Sequence, residues 1–100
     1  MDNLGETIRN LREHKNQPLR TVAAFLNIDQ AILSKIERGH RKASRKQVLD
    51  LAEYFNVTKE SLLLSWLCDK LVKEIENEDV GLQALKLAGQ KIRTFNQKAK

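Results

Sequence analysis

The residues best suited to do chemistry in this chain are cations concentrated in one short stretch. Residues 35–46 hold six lysine and arginine side chains against a single acid, Glu37, so this window alone carries a charge of +5. The rest of the chain holds twelve cations and twelve acids and is neutral. A neutral chain with one basic patch is typical of a protein that binds a polyanion there. The alternative is a solvated loop whose charges serve only solubility.

The sequence offers no catalytic or metal-binding constellation. The two histidines, His14 and His40, lie in unrelated places, and neither stands at metal-ligand spacing from the single cysteine, Cys68. No glycine-rich phosphate loop is present, and the acidic run at residues 74–79 fits a solvated connection between helices. We therefore expect no enzymatic activity, no cofactor and no bound metal, and we expect Cys68 to be a small core residue.

Composition favours one small all-α domain with a short extension. The chain has 100 residues, and its shares of hydrophobic (41%) and charged (31%) residues are those of a globular protein rather than a disordered one. Glycine and proline are scarce, whereas strong helix formers are abundant. The start lacks the pattern of a secretory signal, and no apolar run approaches the ~18 residues that span a bilayer. We expect a cytoplasmic protein.

Apolar residues recur at helical spacing along the chain and predict six helices. These cover residues 4–15, 18–26 and 30–38, a stretch after Ser44, a longer stretch after Thr58, and residues 80–95. Ser44 and Gln47 match the capping-box pattern. Gly39 is suited to end the third helix, because glycine readily takes the left-handed conformation found there.

The second and third predicted helices are joined by a short turn that begins at Asn27 and ends at Asp29. Asn27 tolerates the left-handed conformation, and Asp29 is a good N-cap. Ala23 is small enough to let the two helices cross closely, and Leu33 packs back from the third helix. We expect Phe25 to face inward. This spacing fits a helix-turn-helix.

Residues 4–63 resemble the phage-repressor type of helix-turn-helix domain, the XRE-like family that includes the lambda repressor and Cro. The matching segments are LGETIRNLRE, VAAFLNI, ILSKIERG and LAEYFNVTKESLL. The resemblance implies a five-helix, lambda-repressor-like DNA-binding domain that works as a dimer. We place this domain at residues 1–64, a helical extension with a dimerisation role at 65–95, and a frayed tail at 96–100.

The resemblance also assigns residues to the reading of base sequence. In this architecture the second helix of the motif, here residues 30–38, enters the major groove. The outward positions that we expect to contact bases are Gln30, Ala31, Ser34 and Lys35. Gln30 is suited to adenine and Lys35 to guanine. The alternative is that these side chains only keep a helix soluble. Ile32 is either half-buried or exposed to thymine methyl groups, and we favour half-burial.

Arg45 and Lys46 lie in the first turn of the predicted fourth helix, where cations oppose the helix dipole at a cost of ~0.3–1 kcal/mol each. A phosphate bound at this helix end would make the same cations stabilising. Family members often begin the second helix with a Ser/Thr-Gln pair, but this chain has Pro18 and Leu19. Arg20 and Thr21 are the nearest residues suited to replace that pair in contacting phosphates. With them, the predicted phosphate-contact set is Arg20, Thr21, Arg38, Arg41, Lys42, Arg45 and Lys46. The resemblance further implies that Glu37 forms an ion pair with Arg12 of the first helix.

These observations predict a sequence-specific transcriptional regulator that binds double-stranded DNA as a homodimer on a pseudopalindromic operator. Its size fits phage-type repressors and controller proteins of restriction–modification systems. We expect no small-molecule ligand and no membrane partner. The dimer interface is expected at Trp66, Leu67, Leu71, Leu85, Ile92 and Phe95, unless these residues form a hairpin within a monomer. The alternative function is an antitoxin or protein-interaction module whose C-terminal helices bind a partner.

Overall fold

The computed structural model describes residues 2–99, with side chains described as far as residue 97. Six α-helices follow one another in this range, and no strand occurs among the residues described. The helices are α1 (Leu4–His14), α2 (Leu19–Leu26), α3 (Gln30–Glu37), α4 (Arg45–Phe55), α5 (Lys59–Ile75) and α6 (Gly81–Ala99). The predicted all-α fold is confirmed. None of the helices in residues 2–99 is long and apolar enough to cross a membrane.

The chain divides into two compact units, with the boundary between Asp69 and Lys70. In the first unit, the apolar sides of α1 to α4 and of the first part of α5 form one core. Its largest fully buried side chains include Phe55, Ile8 and Leu33. Burial of each such side chain contributes roughly 1.5–3 kcal/mol, so this core is the main source of stability for the helix-turn-helix.

The first unit extends five residues beyond the predicted boundary at residue 64. Asp69 explains part of this difference, because its Oδ2 accepts a hydrogen bond of 2.9 Å from the backbone N–H of Leu4. This N–H lies at the start of α1, where backbone donors have no partner within the helix. The carboxylate therefore caps α1 from a position far along the chain.

Helix ends lie close to where local sequence signals place them. Ser44 Oγ accepts from the backbone N–H of Gln47 at 3.1 Å, and Gln47 Oε1 accepts from that of Ser44 at 2.9 Å, so the capping box is confirmed. Asn27 is left-handed with φ 58°, and Gly39 has φ 76° just beyond α3. Asp29 occupies the N-cap position of α3, but its side chain makes no capping hydrogen bond.

Two predicted core positions are wrong. Phe25 is 47% exposed and packs on Tyr54 instead, with ring centroids 4.9 Å apart. Cys68 is also exposed. On α5 the buried side is taken by Leu62 and Trp66, four residues apart. Because a helix turns by about 100° per residue, position 68 points away from that side.

The second unit begins within α5 and includes α6. Every side chain from residue 82 to residue 97 is exposed. Helix α6 continues to Ala99, past the predicted end at residue 95. The predicted frayed tail, residues 96–100, is therefore helical as far as it is described, and Lys100 lies outside the described residues.

Gly5 sets how closely α1 approaches the end of α3. A Cβ at this position would lie 2.6 Å from the carbonyl oxygen of Ile36, and nearer still to that of Glu37. Both contacts are with backbone, which cannot rotate aside as a side chain would. Only glycine fits this crossing without a shift of one helix.

We expect Gly5→Ala to lower the free energy of unfolding by about 1–3 kcal/mol, because the added methyl group overpacks the contact between α1 and α3. Gly89→Ala is the matched control, since a Cβ there meets nothing within 4 Å. In an exposed helix this control should gain ~0.5–1 kcal/mol in local helix stability. Chemical denaturation and circular dichroism measure both effects. A Gly5→Ala protein as stable as the parent would contradict the close packing.

Candidate nucleic-acid interface

Helix α3 has one side buried in the core and one side exposed to solvent. Leu33 and Ile36 are buried in the core, and Ile32 is half-buried against it, as the favoured interpretation predicts. The residues predicted to read bases lie on the other side. Three are exposed and the fourth, Ser34, is half-buried; the exposed ones are Gln30, Ala31 and Lys35. The apolar anchors thus leave a polar face on α3 open to solvent.

The end of α3 leads directly into the basic loop, which we define as residues 38–46. Arg38 Nε lies 3.4 Å from the carbonyl oxygen of Ser34. The backbone N–H of His40 donates to the carbonyl of Lys35 at 2.8 Å, which closes the helix end around Gly39. The loop therefore starts from a well-defined turn rather than from a frayed helix.

Every predicted phosphate-contact residue is exposed: Arg20, Thr21, Arg38, Arg41, Lys42, Arg45 and Lys46. Lys46 Nζ is 2.8 Å from Asp50 Oδ2, one turn along α4. Ion pairs at this four-residue spacing on a helix contribute only ~0.3–0.5 kcal/mol, and Lys46 is itself exposed, so the pair leaves Lys46 available to another anion. Arg45 and Lys46 stand in the first turn of α4, where an anion would also meet free backbone N–H groups.

Trp66 supports the basic loop from beneath. Its indole Nε1–H donates a buried hydrogen bond of 2.8 Å to the carbonyl oxygen of Ala43. The Arg45 guanidinium lies over the ring, 5.3 Å from its centroid, which is within the range of a cation–π contact. One side chain of α5 therefore fixes both the backbone of the loop and one of its cations.

This position corrects the assignment of Trp66 to a dimer interface. The side chain is only 8% exposed, because it fills the core beside the loop. The other five residues of that predicted set are exposed and remain available to a partner: Leu67, Leu71, Leu85, Ile92 and Phe95. The supporting role of Trp66 has no signal in the sequence, since Ala43 lies 23 residues away and contributes only a backbone carbonyl.

Arg12 and Glu37 form an ion pair between α1 and the end of α3. Arg12 Nε donates to Glu37 Oε2 at 2.8 Å and Nη2 donates to Oε1 at 3.0 Å, a two-pronged geometry. Arg12 Nη1 also donates to the carbonyl of Gln17 at 3.1 Å. The side chains are 15% and 5% exposed. The acid is thus turned away from the exposed face of α3, which leaves that face without negative charge.

The hydrogen bonds to Glu37 raise the pKa of the Arg12 guanidinium above its ordinary value, against a smaller opposing effect of burial. Because this pKa is raised, the stabilisation that charged Arg12 gives the fold is fully present at any pH below the ordinary pKa of arginine. It is lost only as the pH rises through the still higher pKa of the folded protein. Titration of Arg12 therefore leaves this contact unchanged across the physiological range.

No group of three or more His, Cys, Asp or Glu side chains in the described part of the chain is placed to hold a metal ion. The chemistry available at this surface is therefore that of a polar helix face beside a group of cations. Such a surface suits hydrogen bonds to base edges and charge-assisted bonds to phosphates.

Comparison with known families finds a match to the helix-turn-helix family over residues 8–62, more than half of the chain. The matched segment runs from the core of α1 to the buried part of α5 and contains the whole polar face of α3. No curated protein and no solved structure matches the chain.

We expect Arg12→Ala to lower the free energy of unfolding by roughly 3–5 kcal/mol, because it leaves the Glu37 carboxylate buried without its partner. Arg9→Ala is a matched control. It removes an Arg–Glu pair of nearly the same length, 2.7 Å to Glu13, whose side chains are 59% and 54% exposed. That variant should change stability by no more than ~0.5 kcal/mol. If thermal denaturation shows equal losses of stability for the two variants, burial of the Arg12–Glu37 pair does not increase its contribution.

Proposed function

The chain belongs to the phage-repressor-like helix-turn-helix family of DNA-binding regulators, and we propose that α3 reads base sequence in the major groove of double-stranded DNA. The observation that carries this proposal is the exposed polar face of α3, continuous in sequence with the basic loop. In such complexes, base contacts specify the site and phosphate contacts position the protein on it. The chain offers side chains suited to each.

The reading side chains have distinct capacities. Gln30 presents an amide that matches the N6 and N7 groups of adenine, and Lys35 presents an ammonium that matches the O6 and N7 acceptors of guanine. Ala31 suits a thymine methyl group, and Ser34 suits a base edge or a phosphate. Each good two-pronged contact contributes ~1–3 kcal/mol of discrimination. Two such contacts per subunit support recognition of a short half-site.

The basic loop supplies the part of affinity that does not depend on sequence. Its cations are exposed and follow the recognition helix directly, so they are suited to phosphates on either side of the groove. Release of counterions from those phosphates drives such binding, with a slope near −0.9 per contact in a plot of log affinity against log salt. Arg20 and Thr21 of α2 extend the same set.

We further propose that the protein binds as a homodimer and regulates transcription by occupying a pseudopalindromic operator, for example as a repressor. A two-fold dimer places two recognition helices ~34 Å apart, on half-sites one helical turn from each other. The exposed apolar side chains of α5 and α6 support a second chain as their partner. The same side chains support one rival function, an antitoxin-like module that binds a different protein.

Selection of bound sequences from random double-stranded DNA tests this function. We expect enrichment of a pseudopalindrome whose half-site centres lie about 10 base pairs apart. The selection should run at stated salt concentrations, because non-specific binding falls steeply with salt. Failure to enrich any motif at salt where the protein still binds DNA would overturn sequence-specific recognition.

Single alanine variants should separate the two kinds of contact. Gln30→Ala should cost ~1–3 kcal/mol on the selected site and relax preference at one position of each half-site. Lys42→Ala should weaken binding to all sequences and reduce the salt slope by about 1 per subunit. Lys59→Ala removes an exposed cation outside the basic loop and serves as the control. Titrations at several salt concentrations distinguish these outcomes, and identical profiles for Gln30→Ala and Lys42→Ala would contradict the division of roles.

A further inference from the structure

We define residues 71–79 as the acidic segment. We propose that α6 of one chain packs against the acidic segment of a second copy, and that the second copy's α6 packs in the same way against the first chain. This pair of contacts, which we call the exchange, forms the dimer. This inference builds on the homodimer of the proposed function and specifies which surfaces meet. It rests on three features of the second unit: the exposure of α6, its charge, and the complementary character of the acidic segment.

Helix α6 is nineteen residues long, yet none of its described side chains after Gly81 is buried. Its apolar residues nevertheless recur at helical spacing, with Leu85, Ala88, Ile92 and Phe95 separated by three or four positions. Helices in proteins owe most of their stability to packing of such an apolar face. The described residues of the same chain do not cover this face, so we expect a second chain to pack against it.

The charges of α6 all have one sign. Its sequence contains four cations and no acid, and three of these cations, Lys86, Lys91 and Arg93, are described and exposed. Two copies of α6 packed on each other would bring these like charges together without compensation. Such contacts suppress association, so α6 is poorly suited to pair with itself.

The acidic segment has the opposite character. Glu74, Glu76, Glu78 and Asp79 are all exposed, and none of them forms an ion pair within the described residues. Residues 74–79 contain no cation, and the one cation of the whole segment is Lys73. The same segment exposes the apolar side chains of Leu71 and Val72, each 50% accessible. It therefore presents apolar side chains beside negative charge, which complements the apolar and positive α6.

A second copy of the chain brings its own acidic segment to α6, so no other kind of partner is required. Within one chain, α6 stays exposed beside its own acidic segment, so the two do not cover each other. In a two-fold dimer, a contact from α6 to the partner's acidic segment is made twice, because the interface is self-complementary. Each acidic segment, with its four acids and Lys73, then meets an α6 on which Lys86, Lys91 and Arg93 are exposed.

Paired charge reversals test the exchange in the full-length protein. The acid-reversed variant carries Glu74→Lys and Glu78→Lys, and the base-reversed variant carries Lys91→Glu and Arg93→Glu. Each variant alone should dimerise at least about tenfold more weakly than the parent, because the reversed side chains in both contacts of its homodimer then face charges of their own sign. An equimolar mixture should form a heterodimer that is tighter than either variant homodimer, since one of its contacts is that of the parent and the reversed side chains of the other contact again have opposite signs. Sedimentation equilibrium and native mass spectrometry measure these species.

The control carries Glu53→Lys and Glu60→Lys, which change net charge as the acid-reversed variant does but lie outside the second unit. It should dimerise as the parent does. If the acid-reversed variant also dimerises normally, α6 pairs with something other than the acidic segment, and the proposal fails. It fails too if the parent is monomeric, or if the mixture of variants yields no heterodimer.

These outcomes are independent of those for DNA recognition. A motif selected from random DNA together with a failed mixing experiment would retain the regulator and remove the exchange. A restored heterodimer without any selected motif would retain the exchange and remove sequence-specific recognition.

Discussion

Glu37 is the one charged residue that is buried among those described, and Arg12 satisfies both of its carboxylate oxygens. This contact lies at the end of α3, where Gly5 allows the backbone of α1 to come within van der Waals distance. A buried carboxylate without a partner is costly, and the two-pronged bond has little angular freedom. The pair and the glycine therefore fix the position and rotation of α3 on the core. The exposure of its polar face depends on that position.

Electrostatics divide this small domain into regions with different tasks. Glu37, the one acid within residues 35–46, is paired with Arg12 inside the protein and so does not offset the exposed cations of the basic loop, of which Lys46 also pairs with Asp50. Arg45 and Lys46 oppose the dipole of α4, an arrangement that costs stability in the free protein and favours an anion. The capping box at Ser44 offsets part of this cost, because it satisfies backbone groups at the same helix end.

Signals carried by neighbouring residues predict most of the fold, whereas contacts between distant residues escape them. Asn27, Gly39 and the capping box mark helix ends because each acts on its own backbone. The stretch SLLLSWLC is apolar at nearly every position, so its periodicity does not select which side of α5 is buried. Trp66 and Asp69 of α5 instead bond the distant backbone of Ala43 and Leu4, and Cys68 is left exposed. The partners Arg12 and Glu37 are 25 residues apart, and only the family resemblance pairs them.

Trp66 gives the protein an optical property in addition to its structural one. It is the only tryptophan in the chain, and its ring lies directly beneath Arg45, with its N–H held by the backbone of the basic loop. Indole emission is sensitive to nearby charge and to hydrogen bonding. A phosphate that draws the Arg45 guanidinium away from the ring would alter both the field and the polarity that the indole experiences. The chain thus contains an intrinsic fluorophore directly beneath the surface where it is proposed to bind DNA, and no label is needed to follow that event.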